Sequence, residues 1–109
     1  MNIETALEAL AALSQHTRLE TFRLLVRHEP GGLPAGEIAH ALDVPANTLS
    51  SHLAILSRAG LVHSERFSRV IRYRADVSRL RELMLYLAKD CCAGNPDMCA
   101  PLVAELTCC

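Results

Sequence analysis

The residues with the clearest capacity for chemistry are cysteines, and they stand together near the end of the chain. The sequence has 109 residues, and its five cysteines all follow residue 90. The N-terminus (Met1–Glu4) carries an acidic residue where a signal peptide would be basic, so we expect a cytoplasmic protein with reduced thiols. An odd number of thiols in one short tail predicts thiolates gathered for a ligand rather than a disulfide framework. The positions are Cys91, Cys92, Cys99, Cys108 and Cys109.

A second group of residues is a run of arginines in the middle of the chain. The formal net charge is −1, which by itself argues against nucleic acid. Between Arg58 and Arg81, however, seven arginines stand against two acidic residues, Glu65 and Asp76. A local excess of positive charge that the whole-chain sum hides is typical of a nucleic-acid-binding surface.

The elements that must position these residues follow from the apolar periodicity. An α+β protein, mostly α, with the order α-α-α-α-β-β-α is predicted, and no apolar run approaches the roughly 20 residues needed to span a membrane. Leu19 is predicted to be buried in the second helix, and Val70 and Ile71 in the hairpin. Residues 1–90 form the predicted folded domain and 91–109 a cysteine-rich tail with a turn of helix near 101–106. The helices are predicted at 3–13, 16–28, 34–42, 45–59 and 78–91, and the hairpin at 61–75.

The third and fourth predicted helices have only Asp43 and Val44 between them. Helices joined so tightly must cross steeply, which is the helix-turn-helix arrangement. The second helix of such a motif presents its N-terminal half to the major groove of double-stranded DNA, and the hairpin behind it adds a basic wing. His52 could touch phosphate or pack beneath the hairpin. The predicted DNA-binding residues are Asn47, Thr48, Ser50, Ser51, His52, Arg66, Arg69 and Arg72.

The same region resembles a known family. Over residues 10–76 the chain is similar to the ArsR/SmtB family of small metal- and metalloid-responsive winged-helix repressors. Family members commonly carry glycine at the tip of the wing, where this chain has Ser68, whereas Arg69 matches their basic wing residue. The segments that carry the resemblance are LSQHTRL (13–19), GEIA (36–39), NTLSSHLAIL (47–56) and SRAGLV (57–62).

The resemblance implies a homodimer that is built from the first and last helices and reads a palindromic operator. The residues agree independently, because these two helices are more apolar than a single small core requires. The surplus apolar residues, which we expect at the dimer interface, are Leu7, Leu10, Leu83 and Leu87.

Members of the family bind their inducers at different sites. Residues 33–38 lack the cysteines of one arsenic site, and residues 78–90 lack the histidines of the zinc site. Cys91, Cys92 and Cys99 resemble a subgroup of arsenical repressors with three ligands at the end of the last helix. Thiolates suit soft As(III) or Sb(III) as the inducer, and no constitutive cofactor is expected. Counted helically, Cys91 would continue the apolar stripe of the last helix.

The same residues also allow functions other than that of a metalloid-responsive repressor. A thiol-redox or persulfide sensor could use the same cysteines, pairing Cys91 or Cys92 with Cys99. A cysteine enzyme is not expected, because no cysteine is followed by the C-x₅-R spacing that cradles an oxyanion. A protein that only sequesters metalloid would have no use for a helix-turn-helix and a basic wing.

Overall fold

The computed structural model describes residues 1–89, 97 and 100–106. It has the predicted order of four helices, a hairpin and a further helix, includes a helix in the tail where a turn of helix is predicted, and adds a short strand before the third helix. This is a winged helix-turn-helix fold. Within the described ranges, no helix is both long and apolar enough to cross a membrane. The elements are α1 (Ile3–Leu13), α2 (His16–Arg27), β1 (Leu33–Pro34), α3 (Ala35–Leu42), α4 (Ala46–Arg58), β2 (Val62–Phe67), β3 (Val70–Ala75), α5 (Val77–Ala88) and α6 (Ala100–Leu106).

Side chains that precede the helices fix where α1, α2 and α5 begin, and the capping residues are Asn2, Gln15 and Asp76. Asn2 accepts a hydrogen bond from the Thr5 backbone N–H at 2.8 Å, and Asp76 accepts one from Arg79 at 2.9 Å. Such caps satisfy N–H groups that have no partner within the helix. At its other end α5 stops at Ala88, and Lys89 has extended backbone with ψ 129°. The prediction that this helix runs to residue 91 was therefore wrong.

The core forms where α1 and α2 pack against the helix-turn-helix. Helix α1 contributes three alanines, Ala6, Ala9 and Ala12, whose small side chains allow close approach between helices. The larger apolar residues Ile3, Leu7 and Leu10 of this helix are exposed. Leu19 was predicted to be buried but is 43% exposed, because α2 turns Thr21, Phe22, Leu24 and Leu25 inward instead. The core also includes Ile38, Leu49, Leu53, Leu56, Leu61 and Leu83.

The turn between α3 and α4 is as short as the sequence predicts. Asp43 has left-handed backbone, with φ 54° and ψ 51°, and its N–H donates to the carbonyl of His40. The N–H of Val44 donates to the carbonyl of Ala39 at 3.0 Å. These bonds close α3 within two residues, so that α4 can begin at Ala46 in a new direction.

The wing is a three-stranded antiparallel sheet in the order β1-β3-β2. At its tip, Phe67 pairs with Val70, and Ser68 has a positive φ of 58°. Gly32 enters the sheet beside Tyr73, and a Cβ on Gly32 would lie 2.4 Å from the Tyr73 carbonyl oxygen. The predicted burial of Val70 and Ile71 was wrong, because both residues pair next to the turn of the hairpin and their side chains are exposed.

Candidate nucleic-acid interface

Helix α4 separates an apolar face from a polar one. Leu49, Leu53 and Leu56 are buried in the core, which fixes the rotation of the helix. Four of the five predicted base-reading residues are exposed on the other side. Short hydroxyl and amide groups of this kind suit hydrogen bonding to base edges and phosphates in the major groove. The four residues are Asn47, Thr48, Ser50 and Ser51.

These polar side chains are held close to the axis of α4. The Ser50 hydroxyl donates to the carbonyl of Ala46 at 3.1 Å, and the Ser51 hydroxyl donates to that of Asn47 at 3.5 Å. The Asn47 side-chain oxygen accepts from the Thr48 N–H at 2.9 Å. A compact polar surface allows the helix backbone to approach DNA closely, and each hydroxyl oxygen keeps acceptor capacity.

His52, the fifth predicted residue, is half-buried and faces α2 rather than the hairpin. Its Nδ1 lies 3.4 Å from Nη1 of Arg18. Arg18 also donates from Nε to the carbonyl of Ala12 at 2.6 Å. Sequence reasoning identified Arg18 only as part of a motif, because a contact across 34 residues leaves no periodic signal.

The tip of the wing carries exposed positive charge. Arg66 and Arg69 are exposed on either side of the Ser68 turn. The Arg66 Nε donates to the Ser68 carbonyl at 3.2 Å, which holds that side chain across the turn. Arg69 makes no hydrogen bond or ion pair to another described residue. Both guanidinium groups are therefore available to a phosphate or to the minor groove.

Arg72 lies farther from the tip of the wing than Arg66 and Arg69 do. It is half-buried, and its Nη1 donates to the carbonyl of Gly32 at 2.9 Å. This bond ties β3 to the turn that precedes β1. The structure therefore gives Arg72 a part in holding the sheet together, rather than a place with the exposed arginines at the tip.

Arg74 holds the base of the wing through two carboxylates. Its Nη2 lies 2.7 Å from Oε2 of Glu29, and its Nη1 lies 2.7 Å from Oε1 of Glu65. The hydrogen bond from Arg74 holds the pKa of Glu65 below its ordinary value, against a smaller raising effect of burial. The bonds from Glu29 and Glu65 raise the pKa of Arg74. The positive charge of Arg74 is thus neutralised within the protein.

The surface of α1 and α5 carries much of the predicted dimer interface. Leu7 and Leu87 are 58% and 57% exposed, and Leu10 is exposed to a smaller extent. Leu83 does not belong with them, since it is 3% exposed and packs in the core of the protomer. The helical period put Leu83 beside Leu87 on one stripe, but the stripe is wide enough to face both the core and the exterior.

The predicted metalloid ligands Cys91, Cys92 and Cys99 lie outside the described residues, as do Cys108 and Cys109. The boundary predicted between residues 90 and 91 lies there as well. Helix α6, Ala100–Leu106, confirms the helical turn predicted in this segment. Among the residues described, no three histidine, cysteine or acidic side chains are grouped so that they could hold a metal ion.

The chain is similar in sequence and structure to several transcriptional regulators. Residues 13–65 match the model of a helix-turn-helix domain family. The transcriptional activator HlyU of Vibrio cholerae is 28% identical over 94 residues, which cover 86% of this chain and 84% of HlyU. A structure of reduced HlyU matches with a TM-score of 0.62 and 26% identity, covering 75% of this chain and 84% of that one.

Two further solved structures are similar over most of the chain. An ArsR-like transcriptional regulator from Rhodococcus sp. RHA1 matches with a TM-score of 0.73 and 29% identity, covering 89% of both chains. The homodimeric winged helix-turn-helix DNA-binding domain Mb0332 of Mycobacterium bovis, described as a possible ArsR-family regulator, matches with a TM-score of 0.64 and 28% identity. The match covers 81% of this chain and 82% of the Mb0332 domain. Together these matches show that the chain is similar in sequence and fold to ArsR-like winged helix-turn-helix regulators.

Proposed function

We propose that this protein is a transcriptional repressor of the ArsR type that binds a palindromic operator as a homodimer and releases it when As(III) or Sb(III) binds its thiolates. The observation that carries the DNA-binding part is the exposed polar face of α4, together with the exposed arginines Arg66 and Arg69 at the wing tip. The face of α4 supplies short polar groups for base edges, and the two arginines supply positive charge for the phosphate backbone.

The dimer is supported by the apolar residues that the protomer leaves exposed. Ile3, Leu7 and Leu10 on α1, with Leu85 and Leu87 on α5, lie outside the core. Exposed apolar residues concentrated on two helices are typical of an interface, and one of the similar structures is a homodimer. Two copies of α4 would then read the two halves of a palindrome.

The inducer is proposed from the cysteines and their place in the sequence. Cys91 and Cys92 follow the last residue of α5 by three and four positions, and Leu87 of the proposed interface lies on that helix. Binding of Cys91, Cys92 and Cys99 to one ion would constrain the chain next to the interface. Soft As(III) or Sb(III) prefers thiolates, whereas zinc favours four ligands at wider spacing.

A second candidate is a repressor that responds to thiol oxidation or persulfide through the same cysteines. It is favoured by the similarity to HlyU, for which a structure of the reduced protein has been solved. Oxidation would join Cys91 or Cys92 to Cys99, since a disulfide between direct neighbours is strained. The two candidates share the DNA-binding surface and differ in the chemical signal.

The experiment begins with a duplex selected by the wild-type protein from a random pool. Its affinity is then measured by fluorescence anisotropy during parallel titrations with arsenite, antimonite, zinc and peroxide. We expect release by arsenite or antimonite, and loss of that release in Cys91→Ser, Cys92→Ser and Cys99→Ser without loss of DNA binding. The double variant Cys108→Ser/Cys109→Ser is the matched control and should still be induced.

Each other outcome has a defined meaning. Release by peroxide alone would favour the redox candidate. Tight binding that no titrant changes would retain the DNA-binding part and contradict both signals. Failure of the wild-type protein to enrich any duplex would contradict the repressor itself and favour a protein that sequesters metalloid.

A further inference from the structure

Arg18, at the start of α2, contacts both α1 and the recognition helix α4. We propose that Arg18 is a positioning residue that sets α4 against the end of α1 through His52, and thereby controls discrimination between DNA sequences. The proposal rests on the proposed function, because it concerns how α4 is held for the DNA. In this proposal Arg18 and His52 act together by positioning α4, and neither residue contacts the bases directly.

One end of this connection is anchored firmly on α1. The Arg18 Nε donates to the carbonyl of Ala12 at 2.6 Å, and the Arg18 backbone N–H donates to the side chain of Gln15 at 2.9 Å. Carbonyls in the last turn of a helix have no partner within the helix, and they carry its negative dipole end. Helix α1 has no basic residue in its last turn, so Arg18 supplies the cation there.

The other end of the connection reaches the middle of α4. Nη1 of Arg18 lies 3.4 Å from Nδ1 of His52. A guanidinium group can only donate, so Nδ1 accepts and the ring proton sits on Nε2. His52 directly follows the exposed Ser51 and lies one turn after Thr48. The contact therefore holds α4 against α2 at a position next to the base-reading residues.

Arg18 is anchored on α1, the helix that also carries part of the proposed dimer interface. Helix α1 also carries Leu7 and Leu10 of the proposed dimer interface, and its Ala12 lines the same groove as Arg18 and Ala59 at the end of α4. A shift of α1 within the dimer therefore moves the guanidinium group relative to His52. Arginine suits this role because its Nε and Nη1 donate in fixed relative directions, which a lysine with one nitrogen does not reproduce.

The test separates positioning by Arg18 from direct contact between His52 and DNA. Asparagine at 52 keeps an acceptor near the position of Nδ1 but lacks Nε2, the atom that would reach a phosphate, whereas leucine lacks both. Affinity is measured by anisotropy for the duplex selected by the wild-type protein and for a scrambled duplex of equal length, with the Tm of every variant. His16→Leu is the matched control, since His16 is exposed at the start of α2.

We expect His52→Leu to weaken the selected duplex by about tenfold, the loss of one charge-assisted hydrogen bond, and the scrambled duplex by less than about twofold. His52→Asn should bind nearly as the wild type does. Arg18→Lys should weaken binding to the selected duplex by a similar factor. The double variant Arg18→Lys/His52→Leu should bind that duplex no more weakly than His52→Leu does, because the two residues act as one unit. His16→Leu should change neither affinity.

Four results would overturn the proposal. Equal losses in His52→Asn and His52→Leu would mean that Nε2 contacts DNA directly. Equal weakening on both duplexes, or independent losses that multiply in the double variant, would remove the link between Arg18 and discrimination. Failure of the wild-type protein to enrich a duplex would overturn the proposed function as well, and is distinguishable because it needs no variant. The comparison of leucine with asparagine at 52 decides even if Arg18→Lys lowers the Tm.

Discussion

The tip and the base of the wing use the same residue type for opposite purposes. At the base, Arg74 lies between Glu29 and Glu65, and Arg72 donates to the carbonyl of Gly32. At the tip, Arg66 and Arg69 have exposed guanidinium groups. Arginine content therefore identifies a basic segment, but the partners of each arginine in the fold decide which positive charges remain exposed.

Helix α5 shows the same division with leucine. Leu83 is packed in the core, whereas Leu87, four residues later, is exposed. In both regions one residue is buried or paired within the protomer and another of the same type is left exposed. Substitutions at the two kinds of position should therefore separate stability from binding.

The largest expected effect is at Leu83. Leu83→Glu places a carboxylate in the apolar core and should cost at least about 3 kcal/mol in the free energy of unfolding. Leu87→Glu should leave the protomer folded but yield monomers with much weaker operator binding. Circular dichroism melts and sedimentation velocity check this pair. A stable dimer of Leu87→Glu would remove α5 from the interface.

The next effect is at the base of the wing. Arg74→Ala leaves the carboxylates of Glu29 and Glu65 without their shared cation and should lower the Tm by several degrees. Arg81→Ala is the matched control, since Arg81 is exposed on α5, and should change the Tm little. Equal Tm values for the two variants would show that the Arg74 network does not stabilise the wing.

At the tip, the expected effect is on DNA rather than on stability. Arg69→Ala should weaken binding to all duplexes and reduce the slope of log K against log salt by about 1 for each protomer. Its Tm should match that of the wild type. An unchanged affinity across a salt series would contradict contact between the wing tip and DNA.

A smaller effect is expected in the dependence of stability on pH. The pKa of Glu65 is held below its ordinary value of 4.5 chiefly by the hydrogen bond from Arg74. A lowered pKa in the folded state stabilises the protein above the ordinary value, and this contribution is lost as pH falls through the lower folded-state value. Urea titrations between neutral and acid pH should show this loss in the wild type and less of it in Glu65→Gln. Identical pH profiles would contradict it.

The smallest effect is expected at the turn of the wing. Ser68 has a φ of 58°, a conformation that strains residues with a Cβ and that glycine adopts freely. Ser68→Gly should raise the free energy of unfolding by less than about 1 kcal/mol. Ser64→Gly in β2 is the matched control and should lower it. A loss of stability in Ser68→Gly would contradict strain at this position.

The sequence allowed the helix-turn-helix and the hairpin to be predicted because their signals are local. The spacing of Leu49, Leu53 and Leu56 fixes the buried face of α4. Four of the predicted DNA-binding residues are exposed on the other side: Asn47, Thr48, Ser50 and Ser51. Ser68 keeps the backbone conformation that a glycine would favour. Local period and turn chemistry were sufficient here because neither depends on a distant partner.

Predictions that depended on long-range partners were less successful. Leu7 and Leu10 of α1 are exposed, in agreement with their prediction as surplus to the core, but periodicity did not reveal that Ala6, Ala9 and Ala12 pack inward. The two-residue strand β1 is too short to have a pattern. The contacts of Arg18 with His52 and of Arg74 with Glu29 join residues far apart in sequence, so the charge pattern alone assigned these arginines no structural role.

The most direct test of the account is the affinity of arsenite with and without bound DNA. Titration calorimetry of arsenite into the reduced wild-type protein, free and saturated with the selected duplex, measures both values. If the ion drives release, linkage requires the duplex to weaken arsenite binding by the same factor, about 5- to 150-fold for typical allosteric coupling. Equal affinities in the two titrations would contradict the account, because cysteines that bind arsenite without sensing the operator cannot release it.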